Sequence, residues 1–446
     1  MKITKSQSCL KEFIQYAALN VLGMLGISCY ILADTVFISK GVGADGLTAL
    51  NLAIPVYSVV HGCGMMLGMG SATKYSILKG QKDTERGSRL FTGTVYITLF
   101  LAVVFMLLGT FASGMLAGLM GADSAVYDMT NTYIKVILLF AAGFMMNDVL
   151  ICFVRNDGNP GLSMLAMIGG SLFNIVFDYL FIFPMGMGIL GAVLATGVSP
   201  IVSMMILSLH FWKKKNSFRL ETGRPDFGTT GQSALLGVPA LIAELSSGIV
   251  IMVFNGIILK LEGNVGVAAY GVIANLSLVV ISVYTGISQG MQPLISTAYG
   301  KNDKKTPGKV LRYGILTVLV FSLLIYAGIF GFAGQITAIF NSEGSRQLAQ
   351  IAVPGLRVYF TGIVFAGFNI ILAIYFSSME KAVPAQVISL GRGLILMIPM
   401  AFLLSALWGI TGVWLTFPVT EAIVSLIGIF LQLFIGKNYL YSRNAK

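Results

Sequence analysis

Charged residues are scarce in this sequence. Only 11% of the 446 residues are Asp, Glu, Lys or Arg, whereas 56% are hydrophobic and the mean hydropathy is +0.85. Soluble domains carry about 25% charged residues, so this composition excludes a water-soluble globule. We expect most of the chain to lie in lipid.

Residues that build disulfide frameworks and metal sites are also few. The four cysteines stand far apart and form no CxxC pair, and the only histidines are His61 and His210. The sequence therefore predicts neither a disulfide framework nor a Cys/His metal site. It contains no GxxxxGK phosphate loop and no HExxH pair, so direct use of ATP and zinc peptidase chemistry are not expected. No enzymatic activity and no cofactor are predicted.

Long hydrophobic runs are abundant instead. About 20 apolar residues cross a bilayer as a helix, and the first run is too long for the core of a signal peptide. The runs predict an all-α integral membrane protein with twelve transmembrane helices. The predicted spans are 13–39, 47–70, 90–117, 131–154, 161–183, 189–212, 233–260, 266–290, 311–339, 348–378, 383–405 and 409–435.

Basic residues collect on one side of these spans. The amino end, the tail and every second loop hold 22 Lys and Arg residues, and the opposite loops hold only Lys40, Lys260 and Arg346. Lys and Arg accumulate in cytoplasmic loops, so both termini are predicted to be cytoplasmic, in the plasma membrane of a bacterial or archaeal cell. The net charge of +11 then follows from topology and predicts no nucleic-acid partner.

The two halves of the chain resemble each other. A shift of 220 residues gives ten identities in 44 ungapped positions, where about three are expected by chance. The matches include Lys40 with Lys260 and Gly43 with Gly263. Six spans per half is an even number, so the halves should be related by a pseudo-two-fold axis along the membrane normal. The polar stretch 213–231 is the expected linker, and we predict one lobe over 1–222 and another over 223–446.

Polar residues inside the first six spans predict a cation site. An ionisable residue costs at least about 2.5–3.5 kcal/mol at mid-membrane. Asp34 lies in the first span, and Asn174 and Asp178 share one helical face of the fifth because they are four residues apart. Tyr133 and Thr196 lie in the fourth and sixth spans. This set of oxygen ligands suits a proton or Na⁺, and Na⁺ would use Asp34, Asn174 and Asp178.

Two questions about this cluster stay open at the level of sequence. Its members could instead only satisfy one another in the bundle. The apolar neighbours Ile175, Val176, Phe177 and Leu180 are expected to dry the surroundings of Asp178. A dry site favours the neutral acid, so H⁺ is favoured over Na⁺. The equivalent positions in the second half are apolar, which predicts a polar cluster of this kind in the first lobe alone.

The second half has its own candidate residues. Glu244 in the seventh span could attract a cationic compound or pair with a donor on a neighbouring helix. Four further polar residues are predicted to line the wall of a central cavity. They are Asn255, Tyr270, Gln289 and Gln292.

Five further charged or titratable residues have structural interpretations. Arg392 and Glu421, in consecutive spans, are predicted to form an ion pair. Asp148 and Arg155 lie two turns apart near one end of the fourth span and are predicted to form an interfacial salt bridge. His61 has no acidic partner nearby in sequence, so a satisfied or cavity-facing histidine is expected.

Several segments carry a resemblance to a known family. They are ADTVFISKGVGADGLTALNLAIP, GMGSATKYSILKGQKD, RNDGNPGLSMLAMIGGSLFNIVFDYLFIFPMGMGILGAVLAT, GVAAYGVIANL and GISQGMQPLISTAYGKND. Together they resemble the multidrug and toxic compound extrusion (MATE) family, in family order and over nearly the whole chain. The resemblance implies two six-helix lobes, drug/cation antiport by alternating access, and a coupling-cation site at Asp34, Tyr133, Asn174, Asp178 and Thr196. The first helix departs from members that bend it at a proline, because it holds only Gly23 and Gly26.

The expected function is a secondary active exporter. It would expel amphipathic, mainly cationic compounds in exchange for H⁺ or Na⁺, and it is expected to work as a monomer in the lipid bilayer. The nearest alternative is a lipid-linked oligosaccharide flippase, whose cavity should carry several Arg or Lys residues for pyrophosphate. A membrane-bound enzyme or a channel would need a reactive constellation or a filter segment, and neither was found in the sequence.

Overall fold

The computed structural model describes residues 5–221, 225–341 and 345–444. The predicted lobe boundary at 222/223 lies outside these ranges, as do 1–4 and 445–446. All regular elements of the described chain are helical. The α-helices are α1 (Lys5–Gly41), α2 (Ala44–Gly80), α3 (Thr84–Phe111), α4 (Ser113–Leu119), α5 (Tyr127–Leu139), α6 (Ala141–Asn156), α7 (Pro160–Ile182), α8 (Gly188–Trp212), α9 (Phe227–Gly300), α10 (Thr306–Phe340), α11 (Arg346–Tyr359), α12 (Ile363–Ser378), α13 (Ala382–Leu390) and α14 (Met397–Asn444).

Twelve membrane crossings account for these helices. Within the described ranges, nine helical segments are long and apolar enough to cross a membrane, and α5 and α6 together make a tenth. Two of the segments, α9 and Ala382–Phe434, are more than twice as long as one crossing needs. Each holds two predicted spans, joined at Gly263 in α9 and at Trp408 and Gly409 in α14. The all-α class and the twelve transmembrane helices are therefore confirmed.

The joint at Gly263 repeats a joint in the first half. Gly263 has φ 63° and ψ −158°, and Gly43, between α1 and α2, has φ 95° and ψ −167°. This backbone region is essentially restricted to glycine. The two residues are equivalent under the shift of 220, so the sequence repeat corresponds to a repeated turn.

A second pair of turns shows the same equivalence. After α2, the backbone N–H groups of Lys82 and Asp83 each donate a 3.0 Å hydrogen bond to carbonyls three and five residues earlier. After α9, Asn302 and Asp303 donate the equivalent bonds at 3.0 and 2.9 Å. Lys82 and Asn302 both have positive φ, 65° and 57°. The chain is thus a structural duplication as well as a sequence duplication.

Several predicted spans are not single straight helices. The span 131–154 breaks at Phe140, where α5 and α6 meet at 49°. The span 348–378 is interrupted by the 3₁₀ turn Phe360–Gly362, and 383–405 by the π-helical turn Gly391–Ile395. None of these breaks contains a proline. The hydropathy pattern reports only the length of an apolar run, so it did not locate them.

Two hydrophobic cores underlie the two lobes. One is built from residues between Ile38 and Phe218. The other is built from residues between Phe254 and Val424, joined by Phe13 and Ala17 from the start of α1. Helix α1 therefore belongs to the first half by sequence but also packs its beginning against the second lobe.

Helix α9 packs closely against both α2 and the beginning of α1. The backbone of Gly237 lies against Met66, and a Cβ on Gly290 would lie 2.8 Å from the Cα of Ala17. Side chains at these positions would separate the helices. Glycine is thus needed here for close approach and not for its φ.

Candidate cation and substrate sites

Two buried acids from different helices form the centre of the first site. Asp34 on α1 is 7% exposed and Asp178 on α7 is fully buried. Their carboxyl groups face each other closely enough to interact directly. Helix α7 carries Asp178. Its start is fixed by Asn159, whose side chain accepts a 3.3 Å hydrogen bond from the Leu162 N–H, and by Pro160 in the first turn.

Neutral polar groups surround this pair. With the Asn174 amide oriented to satisfy both its atoms, its nitrogen donates to Asp178 Oδ2 at 3.1 Å. Its oxygen accepts from Thr196 Oγ1 at 3.2 Å. Tyr133 on α5 is buried, interacts with Thr196 and faces both acids. The structure therefore brings together all five residues predicted for the coupling site.

The arrangement leaves acidic oxygens without a cationic partner. The Oδ1 atoms of Asp34 and Asp178 accept no hydrogen bond, and neither acid forms a salt bridge within the described ranges. Two carboxylates in contact repel each other unless a proton or a cation lies between them. The pair is therefore chemically suited to bind and release one positive charge, and Asn174 and Thr196 supply further oxygens.

The sequence neighbours of Asp178 do not enclose it as expected. Val176 is 51% exposed and Leu180 is 38% exposed at the outer surface of the lobe. Phe177 stacks on Phe173 with ring centroids 4.0 Å apart. Successive residues of a helix point in different directions, so the residues that contact Asp178 come from α1 and from Asn174 on its own helix, and not from these flanking side chains.

The glycines of α1 serve packing in this structure. The helix is continuous from Lys5 to Gly41. A Cβ on Gly23 would lie 2.8 Å from Met167 Sδ, and one on Gly26 would lie 3.3 Å from Ile168 Cγ1. Both glycines therefore let α1 approach α7, which places Asp34 beside Asp178.

A second titratable cluster lies between the lobes. His61 Nδ1 on α2 is 2.9 Å from Asp148 Oδ2 on α6, and His61 Nε2 is 4.0 Å from Glu244 Oε1 on α9. Tyr57 stacks on the imidazole at 5.6 Å with an interplanar angle of 8°. His61 thus has two acidic neighbours. The sequence did not predict them, because both lie on other helices far away along the chain.

The predicted salt bridge between Asp148 and Arg155 was wrong. Arg155 is fully buried, and its Nη1 donates to Asn20 Oδ1 at 3.0 Å and to Gln289 Oε1 at 2.5 Å. The two charged residues are seven positions apart on α6, and each turns toward partners on other helices. Arg155 belongs to the interface between the lobes.

Gln289 and Gln292 lie at this interface and not on an open wall. Gln292 is fully buried, and its amide donates to the backbone oxygen of Met69 at 2.8 Å and to Thr73 Oγ1 at 2.5 Å. Both glutamines come from α9 and meet residues of the first lobe. They hold the lobes together in this conformation.

The remaining predicted wall residues are separate from Glu244. Tyr270 is 3% exposed in the second core, where its ring packs 5.4 Å from Phe254 and 6.2 Å from Trp414. Asn255 is partly buried, eleven residues beyond Glu244 on α9, which is about 16 Å along the helix. The structure therefore does not gather the five predicted substrate residues into one cluster.

The second lobe contains a polar cluster of a different kind, built around the predicted pair of Arg392 and Glu421. Arg392 Nη2 donates to Glu421 Oε1 at 2.7 Å, which confirms the predicted ion pair. Asn369 donates to Glu421 Oε2 at 2.7 Å, and Ser425 donates to Asn369 Oδ1 at 3.1 Å. The cluster occupies positions that are not equivalent to Asn174 and Asp178, so comparing those positions alone missed it.

Asp157 organises a network that the sequence did not reveal. Its side chain is fully buried just after α6 and accepts from Lys79 at 2.5 Å, Tyr75 at 2.7 Å, His210 at 2.9 Å and the Ser217 N–H at 2.7 Å. Burial alone would raise the pKa of Asp157, but these hydrogen bonds outweigh it and lower the pKa to about 2. One feature of the sequence could have indicated this network. Asp157 lies in the turn RNDGNP after α6, and an acid buried in a turn needs hydrogen-bond partners.

The bundle and its buried acidic clusters define the class of protein. A two-lobed, multi-pass helical membrane protein with charged sites inside and between its lobes is organised as a transporter. A model of the MatE family matches residues 21–180 and 239–403, and the chain belongs to this family.

Named relatives cover almost the whole chain. The multidrug export protein MepA of Staphylococcus saprophyticus is 25% identical over 429 residues, which is 96% of this chain and 94% of that protein. MepA of Staphylococcus aureus is 23% identical over 427 residues, covering 94% of this chain and 93% of that protein.

Solved structures show the same fold. An outward-facing multidrug resistance MATE family transporter of the MOP superfamily is 23% identical, with a TM-score of 0.89 and complete coverage of both chains. A MOP superfamily transporter from Pyrococcus furiosus, described as having a binding pocket of reverse polarity, is 23% identical. It has a TM-score of 0.86 and covers 97% of this chain and 98% of that chain.

Proposed function

We propose that this protein is a multidrug exporter that exchanges amphipathic, mainly cationic compounds for H⁺ or Na⁺. The observation that carries the proposal is the presence of two separate acidic sites, Asp34–Asp178 inside the first lobe and His61–Asp148–Glu244 between the lobes. One site can hold the coupling cation while the other attracts the compound. The relatives named multidrug export protein MepA support export of drugs.

Alternating access is proposed to proceed by separation of the lobes. The Ser71–Ser233, Arg155–Gln289 and Lys74–Glu380 contacts cross between the two halves on the side of the linker. The excess of Lys and Arg predicts that this side is cytoplasmic. These contacts must then break for a cavity between the lobes to open toward the cytoplasm.

H⁺ is the favoured coupling cation. Asp34 and Asp178 lie in direct contact without a cationic side chain, and both are buried. A proton needs only one carboxyl, whereas Na⁺ needs several oxygen ligands at about the same distance. Na⁺ is the alternative, because Asn174 and Thr196 supply further oxygen ligands.

Transport in sealed vesicles tests the function and the coupling cation together. Purified protein is reconstituted, tetraphenylphosphonium is the probe, and the H⁺ and Na⁺ gradients are imposed separately. Uphill transport driven by the H⁺ gradient alone is expected. Export driven only by Na⁺ would reverse the choice of cation, and transport with neither gradient would contradict antiport.

Orientation and the lobe boundary remain separate proposals. Reporter tags after Lys214 and after Lys304 should be cytoplasmic, and a tag within 184–188 should be external. An external signal at Lys304 would contradict two parallel lobes divided at 222/223.

Flippase activity is the second candidate. A pyrophosphate-binding cavity needs free basic residues, and Arg155 is fully buried against Asn20 and Gln289. The acids between the lobes instead favour a cationic ligand.

A further inference from the structure

The cluster between the lobes contains one more acid than base. It holds two acids, Asp148 and Glu244, and one histidine, His61, from three different helices. Exposure of the side chains rises from 7% for Asp148 through 23% for His61 to 38% for Glu244. The acid nearer to the imidazole, Asp148, is the buried one, and the acid further from it, Glu244, is the accessible one.

The two carboxyl groups near the imidazole favour its protonated form. Neutral imidazole has one N–H donor, whereas both nitrogens donate in imidazolium. Here Nδ1 lies 2.9 Å from Asp148 Oδ2, a close contact without hydrogen-bond geometry, and Nε2 lies 4.0 Å from Glu244 Oε1. A carboxylate at each nitrogen favours the cation.

The ring is held in that orientation from the side. Tyr57 stacks on its face, and the Tyr57 phenol interacts with that of Tyr30 on α1. The titratable groups facing His61 are therefore Asp148, Glu244, Tyr57 and, through Tyr57, Tyr30.

We infer that His61 is a specificity residue that makes this cluster a site for monovalent organic cations and discriminates against divalent ones. With His61 protonated, the three side chains carry a net charge of about −1, and one positive charge on the ligand balances it at Glu244. The second charge of a dication would find Asp148 already occupied by the imidazolium. The inference rests on the proposed function and specifies which charge the exported compound should carry.

The charge of the cluster should change when His61 is replaced. His61→Gln keeps a polar side chain of similar length but leaves two uncompensated carboxylates. A second positive charge on the ligand then has a partner. Two charges about 10 Å apart at the surface of a protein interact strongly enough for a preference to change by about tenfold.

A matched pair of ligands tests this. Decyltrimethylammonium and decamethonium share a ten-carbon chain and differ by one ammonium group. Their dissociation constants are measured by calorimetry on the purified full-length protein at pH 7. In His61→Gln, the ratio of the two constants should shift about tenfold toward decamethonium.

The other histidine supplies the control. His210 belongs to the Asp157 network, away from this cluster, and His210→Gln should keep the wild-type ratio. Glu244→Gln should weaken the binding of both ligands. An unchanged ratio in His61→Gln would overturn the inference.

The wild-type protein offers a test that needs no stable His61 variant. The chain has only two histidines, so ¹⁵N-histidine labelling gives two imidazole spectra, assigned with either single replacement. At pH 7 both His61 nitrogens should carry protons, and a neutral His61 ring contradicts the inference. If wild-type vesicles export neither ligand, the proposed function itself is contradicted, whereas export with an unchanged ratio in the variant contradicts only the role of His61.

Discussion

Asp178 illustrates how a single residue acquires its chemistry from packing. It is fully buried beside Asp34 and receives a hydrogen bond from Asn174. We predict that Asp178→Asn abolishes uphill export while the protein stays folded, because an amide cannot release a proton or balance a cation. Export in reconstituted vesicles and the elution profile of the purified protein are the measurements.

The control for this prediction is an acid outside the cluster. Asp128, exposed in the first turn of α5, can be changed to Asn with the same loss of charge, and export should remain. Asp34→Asn should behave like Asp178→Asn. Normal uphill export by the Asp178→Asn protein would contradict the coupling role of the pair.

Asp157 shows a stabilising role for a buried acid at the same scale. Its pKa is lowered to about 2 from a usual value of 3.8. A lowered pKa in the folded state stabilises the protein above the unfolded value, and this contribution is lost as the pH falls from about 4 to 2. We predict that Asp157→Asn lowers the free energy of unfolding by about 2 kcal/mol at pH 7.

The pH dependence distinguishes this effect from simple loss of packing. Denaturant midpoints measured in detergent between pH 2 and pH 7 should differ between wild type and Asp157→Asn at pH 7 and converge near pH 2. Asp128→Asn should follow the wild type throughout. A difference that stays constant down to pH 2 would contradict the electrostatic explanation.

Gly263 matters at the scale of the element, because it joins two membrane helices within α9. Its φ of 63° and ψ of −158° lie in a region that side chains make costly. We predict that Gly263→Ala destabilises the protein by about 1–3 kcal/mol, measured by thermal unfolding in detergent. The cost is strain and not collision, because a Cβ there would contact nothing within 4 Å.

Gly271 provides a matched control eight residues further along. It also has open space around a built Cβ, and its φ is not positive. Gly271→Ala should change stability by less than about 1 kcal/mol, in the stabilising direction if at all. Equal losses in the two variants would show that strain at Gly263 is not the cause.

The whole molecule depends on contacts that hold the lobes together. Lys74 of the first lobe pairs with Glu380 of the second, and both side chains are partly exposed. We predict that Glu380→Lys destabilises this conformation by about 1 kcal/mol, about fivefold in population. The Lys74→Glu/Glu380→Lys double variant should restore it. The measurement is the spin-label distance between positions 82 and 383 in a cysteine-free background.

A pair within one helix controls for the change in charge. Glu85 pairs with Arg89 on α3, so Glu85→Lys adds the same positive charge without affecting a contact between lobes. Its distance distribution should match the parent protein. Failure of the double variant to restore the parent distribution would show that the pair does not hold the lobes together.

Local patterns in the sequence determined the class and the architecture of this protein. Spans follow from hydropathy, because the bilayer demands about 20 apolar residues per crossing whatever the neighbours are. The duplication follows from glycines such as Gly43 and Gly263, because the turn geometry they allow is a property of the residue itself. Asn174 and Asp178 could be placed on one face because helical spacing is fixed.

Only the tertiary structure decided which charges meet. His61 with Asp148 and Glu244, and Arg155 with Gln289, are pairs between helices. The spacing of these residues along the chain does not predict these pairs. The helix breaks at Phe140 and Phe360 contain no proline and likewise depend on packing in this structure. Partners are decided by the distance between helix faces in space, and the same hydropathy pattern is compatible with many such arrangements.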